Sequence, residues 1–265
     1  MRQTFNQHLD TRAWGRAFLR GVASWWHMLH LGAIVLVMAL SPSTYNKANR
    51  ATTSKYMYTS TWEVLPWFTA MAALLSLVLI RVVIVTSLSY GLSQYALEMV
   101  VRVLVLELIP LSAAMFVALR AGLTFSAGAT REALQIDDHP APHLSFTHLR
   151  NEIVPGVLAS AFSVLTLAMV SSVIALVLAY ITVYGLSPWG LPGYTRTVGH
   201  VFDPAITLGF ALKTLLFSLA VAVVPIAASL NPQRPATSNT VQPGAVRLFL
   251  VLLLIEAGSL AVKYI

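Results

Sequence analysis

The stretch that decides the fold is residues 100–127, which read VVRVLVLELIPLSAAMFVALRAGLTFSA. This run is long enough to cross a bilayer, because a transmembrane α-helix needs about 20 apolar residues. It nevertheless contains Glu107, Pro110 and Arg120. A carboxylate and a guanidinium are costly in hydrocarbon, so we expect both to face protein or a polar cavity. The stretch therefore predicts a membrane-spanning helix that belongs to a bundle.

Four further apolar runs predict the rest of that bundle, at residues 64–90, 155–183, 205–229 and 245–264. The runs are continuous rather than alternating, which favours helices over the strands of a barrel. The composition agrees, since 57% of the residues are hydrophobic and only 10% are charged, whereas soluble domains carry about 25% charged residues. The sequence predicts an all-α membrane protein whose residues 61–265 form a domain of five transmembrane helices.

Residues 1–60 predict amphipathic and interfacial helices followed by a basic linker. The apolar run from His27 to Leu40 is too short for a span and ends at a Ser-Pro pair, so it fits an interfacial helix. Before it, basic side chains recur at every fourth position, as expected for one face of a helix lying on an anionic cytoplasmic leaflet. These basic side chains are His8, Arg12, Arg16 and Arg20. A disordered basic tail is the alternative interpretation.

The net charge of +7 does not indicate a nucleic-acid partner, because the basic residues are not gathered on a soluble domain. If the N-terminus is cytoplasmic, the outer segments hold only Arg196 and Lys263. The remaining basic residues outside the spans then lie inside, as the positive-inside rule requires. Five spans place the C-terminus on the opposite side of the membrane.

Ionisable residues on four different runs lie at similar depths, about 10–14 Å from the outer edge at a rise of 1.5 Å per residue. These residues are Arg81, Glu107, Lys213 and Glu256. Two cations and two anions in one layer predict either ion pairs between helices or a polar cavity open toward the outside. The residues leave both interpretations open.

Pro110 adds a constraint beside Glu107. Its ring nitrogen carries no hydrogen, so the carbonyl of Leu106 loses its α-helical donor and needs another partner. We expect a kink at this point, which would widen the bundle next to the carboxylate.

These elements resemble the MlaE-type permease family, the membrane subunits of ABC lipid transporters that work with MCE proteins. Glu107 and Pro110 match its Glu-Leu-Gly-Pro element, with Ile109 in place of the glycine. Arg120 and Gly122, on either side of Ala121, match its arginine-centred element.

The later part of the chain extends the resemblance to about residues 62–264. His148-Leu149-Arg150 leads to Pro155, which matches the proline that opens the third span. Lys213, followed by a threonine, resembles the Lys-Ser element of the fourth span, and Glu256 stands where the last span usually carries an acidic residue. Each motif is short, and their order and spacing carry the resemblance.

The resemblance implies the permease subunit of a transporter in a bacterial inner membrane, with a cytoplasmic N-terminus and a periplasmic C-terminus. A second permease copy or paralogue would enclose a cavity, separate ABC ATPase subunits would bind ATP, and an MCE-domain protein would receive or deliver phospholipid. The cytoplasmic loop 128–152 would couple ATP hydrolysis to the spans. The residues expected at the cavity are Glu107, Lys213, Arg81, Glu256 and Pro110. The residues expected to have structural or coupling roles are Arg120, Gly122, Arg150 and Pro155.

One further position and one loop segment depart from the family pattern. Leu106 stands where the family usually has a basic residue before the glutamate. The loop segment 136–144 contains Pro140 and Pro142, which disfavour the continuous helix that docks on the ATPase. A divergent subunit that pairs with a second permease would explain this loop.

Other function classes find less support. The aspartates and histidines of the same loop match no tight metal template, so we expect no metal site. No G-x-x-x-x-G-K-[ST] phosphate loop is present, so the chain is not expected to bind ATP by that mechanism or to be an enzyme. The rivals are an ion-coupled carrier that uses the buried charges as a relay, and a membrane scaffold that transports nothing. Carriers often show internal repeats, and none is evident here.

Overall fold

The computed structural model of the chain describes residues 61–134, 154–229 and 243–264, together with a few single positions between 30 and 59. Within these ranges every regular element is a helix. Five of the helices are long and apolar enough to cross a membrane, at Leu65–Ser89, Ala96–Ala121, Pro155–Tyr184, Pro204–Pro225 and Gly244–Lys263. The predicted fold class is confirmed. The predictions for the N-terminal 60 residues, apart from those few positions, and for residues 135–153 lie outside the described part of the chain.

In chain order the helices are α1 (Leu65–Ser89), α2 (Ser93–Val100), the π-helix π1 (Val101–Leu108), α3 (Ile109–Leu134), α4 (Val154–Tyr184), α5 (Leu191–Val201), α6 (Pro204–Ser229) and α7 (Pro243–Tyr264). Short turns join α1 to α2 and α5 to α6. α2, π1 and α3 continue into one another and together form the second span. α3 runs to Leu134, so the first part of the expected coupling loop 128–152 is helical.

Glycine and proline set several of the helix boundaries. Gly91 follows α1 with a φ of 72°, and Gly185 follows α4 with a φ of 68°. Both are in the left-handed region that glycine adopts without a steric penalty. Pro204 and Pro243 are the first residues of α6 and α7. The backbone N–H at this position has no partner within the helix, so proline costs no hydrogen bond there. We call the end of the bundle that carries Gly91 and Gly185 the outer end, after the orientation that the basic residues predict.

The helices differ in how deeply they are buried. α4 packs against α1, α3 and α6, and α7 packs mainly against α6. In the second span 56% of the apolar window is buried, against 17% in α1 and 11% in α7. The second span is therefore central, while α1 and α7 are peripheral and leave most of their apolar surface for lipid or for other chains.

Two apolar clusters divide the bundle along its length. The inner cluster includes Phe68, Leu167, Phe217 and Leu252. The outer cluster includes Ile80, Val101, Val105 and Val201. Burial of these large side chains stabilises the packed helices through close contact, since protein interiors approach crystal-like density. The layer between the two clusters holds the charged residues considered below.

The connection between α4 and α6 is ordered by a group of tyrosines. Tyr194 of α5 packs edge-on against Tyr180 and Tyr184 of α4, and its hydroxyl donates to the carbonyl of Leu176 at 2.8 Å. Burial raises the pKa of Tyr194 to about 12, because removal from water disfavours the phenolate. Gly190 fits closely beside these rings, since a Cβ there would lie 2.6 Å from Tyr184 Cδ1.

Candidate functional site

Glu107 lies on the π-helical part of the second span. The amide of Ile109, which follows π1, donates to the carbonyl of Leu104, five residues earlier. Pro110 comes next and has no N–H to continue the α-helical pattern. The backbone disturbance predicted at this proline thus takes the form of a π-helix, a rare conformation that is frequent at functional sites.

Lys213 of α6 fills the position beside this irregular backbone. Its Nζ lies 3.5 Å from the carbonyl oxygen of Leu106, the group that Pro110 leaves without an α-helical donor. The same Nζ donates to Glu107 Oε2 and forms an ion pair of 2.7 Å with Glu256 Oε2. The Lys213 side chain is only 2% exposed, and a buried ammonium requires such partners.

Lys263 of α7 adds a second cation. Its Nζ lies 2.9 Å from Glu107 Oε1, so each oxygen of Glu107 accepts from a different lysine. Side chains on a helix lean toward its N-terminus, which directs Lys263 from the last turn of α7 back into the bundle. The groups alternate in sign in the order Lys263, Glu107, Lys213 and Glu256, and we call them the charge ladder.

The charge ladder joins three helices at the boundary between the two apolar clusters. Lys213 lies between Phe210, which packs against the outer cluster, and Phe217, which belongs to the inner cluster. The side chains of Glu107, Glu256 and Lys263 remain 13%, 16% and 14% exposed. Three members of the ladder are thus reachable from outside the chain, whereas Lys213 is enclosed.

A family model described as Permease MlaE matches residues 53–260. The chain belongs to the MlaE permease family. It is therefore a multi-pass membrane protein and a permease subunit of an ABC-type transporter. No curated protein matches the sequence. In this MlaE permease the ladder is built from Glu107, Lys213 and Glu256, which carried the resemblance, and from Lys263, which did not.

Arg81, which was expected among the cavity charges of this MlaE permease, does not join the ladder. Arg81 is exposed, and it takes part in no ion pair within the described part of the chain. Ile80, fully buried, occupies the inward position on α1, and the next residue lies about 100° further round the helix. The second cation of the layer is Lys263 instead. Lys263 also places a positive charge next to Glu107, whereas the residue before the glutamate is the uncharged Leu106.

The residues predicted to have coupling roles lie toward the inner end or outside the described residues. Arg120 Nη2 is 3.1 Å from Glu63 Oε2, and the two side chains are 34% and 63% exposed. Pro155 is buried in the first turn of α4, and Gly122 lies on α3. Arg150 falls outside the described residues. The coupling roles of these residues remain predictions.

An apolar recess near the outer end is separate from the ladder. It has a volume of about 230 Å³ and lies between α4 and α5, next to Tyr180 and Tyr194. None of the residues predicted to line the substrate cavity borders it. The expectation of a cavity beside Glu107 therefore depends on the ladder's own exposed edge and on neighbouring chains.

Proposed function

We propose that this permease moves phospholipid, or a similar amphipathic lipid, between the inner membrane and an MCE-type partner. The observation that carries the proposal is the charge ladder, a polar layer between two apolar clusters with three partly exposed members. An amphiphile has the same pattern, since its charged headgroup adjoins apolar chains. Lipid tails would lie on the apolar surfaces, and the headgroup would meet Glu107 and Glu256 first and Lys213 once the helices move apart.

The mechanism assigns ATP hydrolysis to a separate ATPase subunit beneath the inner end. Its closure would be transmitted through residues 128–152 into the second and third spans, near the ion pair of Arg120 with Glu63. Because the ladder ties α6 and α7 to π1, movement of these helices relative to one another separates charged partners. A headgroup can then replace the lost partners, so that helix movement and lipid binding become coupled.

The proposed assembly contains a second permease copy or paralogue and an MCE-domain protein on the periplasmic side. The N-terminus is placed in the cytoplasm and the C-terminus in the periplasm, as the basic residues favour. Only 17% of the apolar window of α1 and 11% of that of α7 are buried. The rest of these two helices is open to contact with further membrane segments. Such contacts would also close the exposed side of the ladder.

The test is ATP-dependent transfer of a fluorescent phospholipid by the reconstituted complex of permease, ATPase and MCE protein. Glu107→Ala and Lys213→Ala are expected to abolish transfer while the complex still assembles. Arg196→Ala is the matched control, because it removes an exposed cation of α5 outside the ladder. Unchanged transfer by the two ladder variants in an assembled complex would remove these residues from the mechanism.

A structural role is the second candidate, and the complete pairing of the four ladder charges favours it. A scaffold of this kind would lose assembly when Lys213 or Glu256 is changed alone. The double variant Lys213→Glu/Glu256→Lys, which exchanges the charges, would restore assembly. The transfer assay separates the two candidates, because a scaffold requires assembly and no ATP-dependent lipid movement.

A further inference from the structure

The two lysines of the charge ladder differ in their freedom to exchange partners. Lys213 lies in the middle of α6 and its side chain is 2% exposed, whereas the side chain of Lys263 is 14% exposed. Lys263 also belongs to the last turn of α7, and helix ends open at lower free energy than buried helix centres. The Lys263–Glu107 pair is therefore the part of the ladder that opens most readily.

We propose that the Lys263–Glu107 pair is a headgroup-exchange site that selects zwitterionic lipids bearing a phosphate and a primary ammonium. The inference deepens the proposed function, on which it rests, by naming a headgroup class. When the pair opens, the Lys263 ammonium donates to the lipid phosphate, and the Glu107 carboxylate accepts from the lipid ammonium. Each buried charge keeps a partner of opposite sign throughout the exchange.

The selection follows from the opened pair, which presents one cation, Lys263, and one anion, Glu107. A zwitterionic headgroup offers one charge of each sign and leaves the net charge of the layer unchanged. An anionic headgroup offers a partner to Lys263 only, so Glu107 and Glu256 would have to share Lys213. An excess negative charge in a largely buried layer is costly, and anionic lipids are disfavoured for that reason.

The ammonium must also donate hydrogen bonds. Glu107 accepts at both carboxylate oxygens in the closed ladder, and charge-assisted bonds of this kind are stronger than neutral ones. A primary ammonium reproduces the donor that Lys263 withdraws, whereas a quaternary ammonium has no N–H. Ethanolamine headgroups are therefore expected to bind best, choline headgroups less well and glycerol headgroups least.

Among the described residues, no side chain crowds the surface of α6 one helical turn before Lys213. Gly209 is exposed one helical turn before Lys213, on the outer side, and a Cβ added there would meet nothing within 4 Å. A headgroup can approach from this direction without displacing a packed side chain.

The test uses the full-length permease in detergent and native mass spectrometry. Phosphatidylethanolamine, phosphatidylcholine and phosphatidylglycerol with identical acyl chains are added in equal amounts, and the ratios of the bound lipids are measured. We expect wild-type protein to retain the ethanolamine lipid over the glycerol lipid by roughly fivefold or more, the lower end of the range for coupled binding events. Equal retention of the three lipids by wild-type protein overturns the inference, whatever the variants do.

The variants locate the selection. Glu107→Gln leaves an excess cation and should move the ratio toward the glycerol lipid. Lys263→Met leaves an excess anion and should lower binding of both lipids, with the glycerol lipid lost first. Lys263→Arg should keep the wild-type ratio, as should the control Arg196→Met. A purely structural role would move the ratio in neither direction, and shifts of the same sign in Glu107→Gln and Lys263→Met would contradict the exchange site.

Failure of this inference can be told from failure of the proposed function. Headgroup selection without ATP-dependent transfer by the assembled complex leaves the exchange site in place and refutes the transport function. Transfer without headgroup selection refutes the exchange site alone.

Discussion

The two ends of the second span offer a direct comparison of a buried and an exposed ion pair in one protein. Glu107 neutralises Lys213, which is 2% exposed, and also contacts Lys263. Arg120 pairs with Glu63, and these side chains are 34% and 63% exposed. The change Glu107→Gln removes the central anion of the charge ladder, while Arg120→Gln removes one partner of the exposed pair.

The expected magnitudes differ severalfold. Removing one partner of a buried pair costs about 3–5 kcal/mol when the other charge is left uncompensated. Glu107→Gln leaves the two lysines of the ladder to one carboxylate, Glu256, so the low end of that range applies. Exposed pairs contribute about 0–1 kcal/mol, because water and salt screen them. We therefore expect Glu107→Gln to lower the free energy of unfolding by about 3 kcal/mol and Arg120→Gln by less than about 1 kcal/mol.

The assay is equilibrium unfolding in mixed micelles, followed by the fluorescence of the tryptophans. The double variant Lys213→Met/Glu256→Leu provides a further check, since it removes one charge of each sign and keeps the pair of Lys263 with Glu107. Its stability should exceed that of Lys213→Met alone, because the single change leaves two carboxylates to one lysine. The electrostatic reasoning would be refuted if Glu107→Gln and Arg120→Gln lowered the free energy of unfolding equally. It would also be refuted if the double variant were less stable than both of its single variants.

Three further predictions concern single positions near the outer end. Gly190→Ala should destabilise the protein by about 1–3 kcal/mol through overpacking, because its Cβ would lie 2.6 Å from Tyr184 Cδ1. Gly193→Ala is the control, since its Cβ would lie 3.8 Å from the Tyr184 hydroxyl. The control should have the melting temperature of the wild type in detergent. Gly209→Leu should fill open space and reduce lipid retention in native mass spectrometry without lowering the melting temperature; retained lipid would exclude that approach. Tyr194, whose pKa is raised to about 12, should ionise at a higher pH than exposed tyrosines. The measurement is the difference in ultraviolet absorbance between wild type and Tyr194→Phe as the pH is raised. Because folding favours the neutral form of Tyr194, its contribution to stability is complete below pH about 10 and falls as the pH rises through about 12.

The sequence predicted the spans because their evidence is local. Each span is a continuous apolar run of sufficient length, and bilayer thickness sets that length independently of packing. The rotation of a helix about its axis is not local in this sense. The run that forms α1 is apolar on all sides, so nothing in it shows that Ile80 faces inward and Arg81 outward. For Arg81 the sequence gives the position along the helix, and it does not give the direction in which the side chain faces.

The part of the site that sequence reasoning missed is Lys263. It lies at the edge of an apolar run, where a lysine is typical of the membrane interface. A signal was nevertheless present. Lys263 follows Glu256 by seven residues, which is close to two helical turns and places both on one face of a helix. The form of the disturbance at Pro110 was also not predictable, because a missing donor is compatible with a kink as well as with a π-helix.

The charge ladder also determines how α7 is held in the bundle. Only 11% of the apolar window of this helix is buried, and apolar contacts are non-directional, so they permit a helix to slide along its neighbour. Ion pairs of defined distance do not. α7 contributes an anion at Glu256 and a cation at Lys263, and both must meet partners that are themselves bound to each other, Lys213 and Glu107. A shift of α7 by one turn, about 5.4 Å, would break both contacts at once. The four charges therefore help to fix the register of this peripheral helix, and a ligand that replaces one pair acts directly on its position.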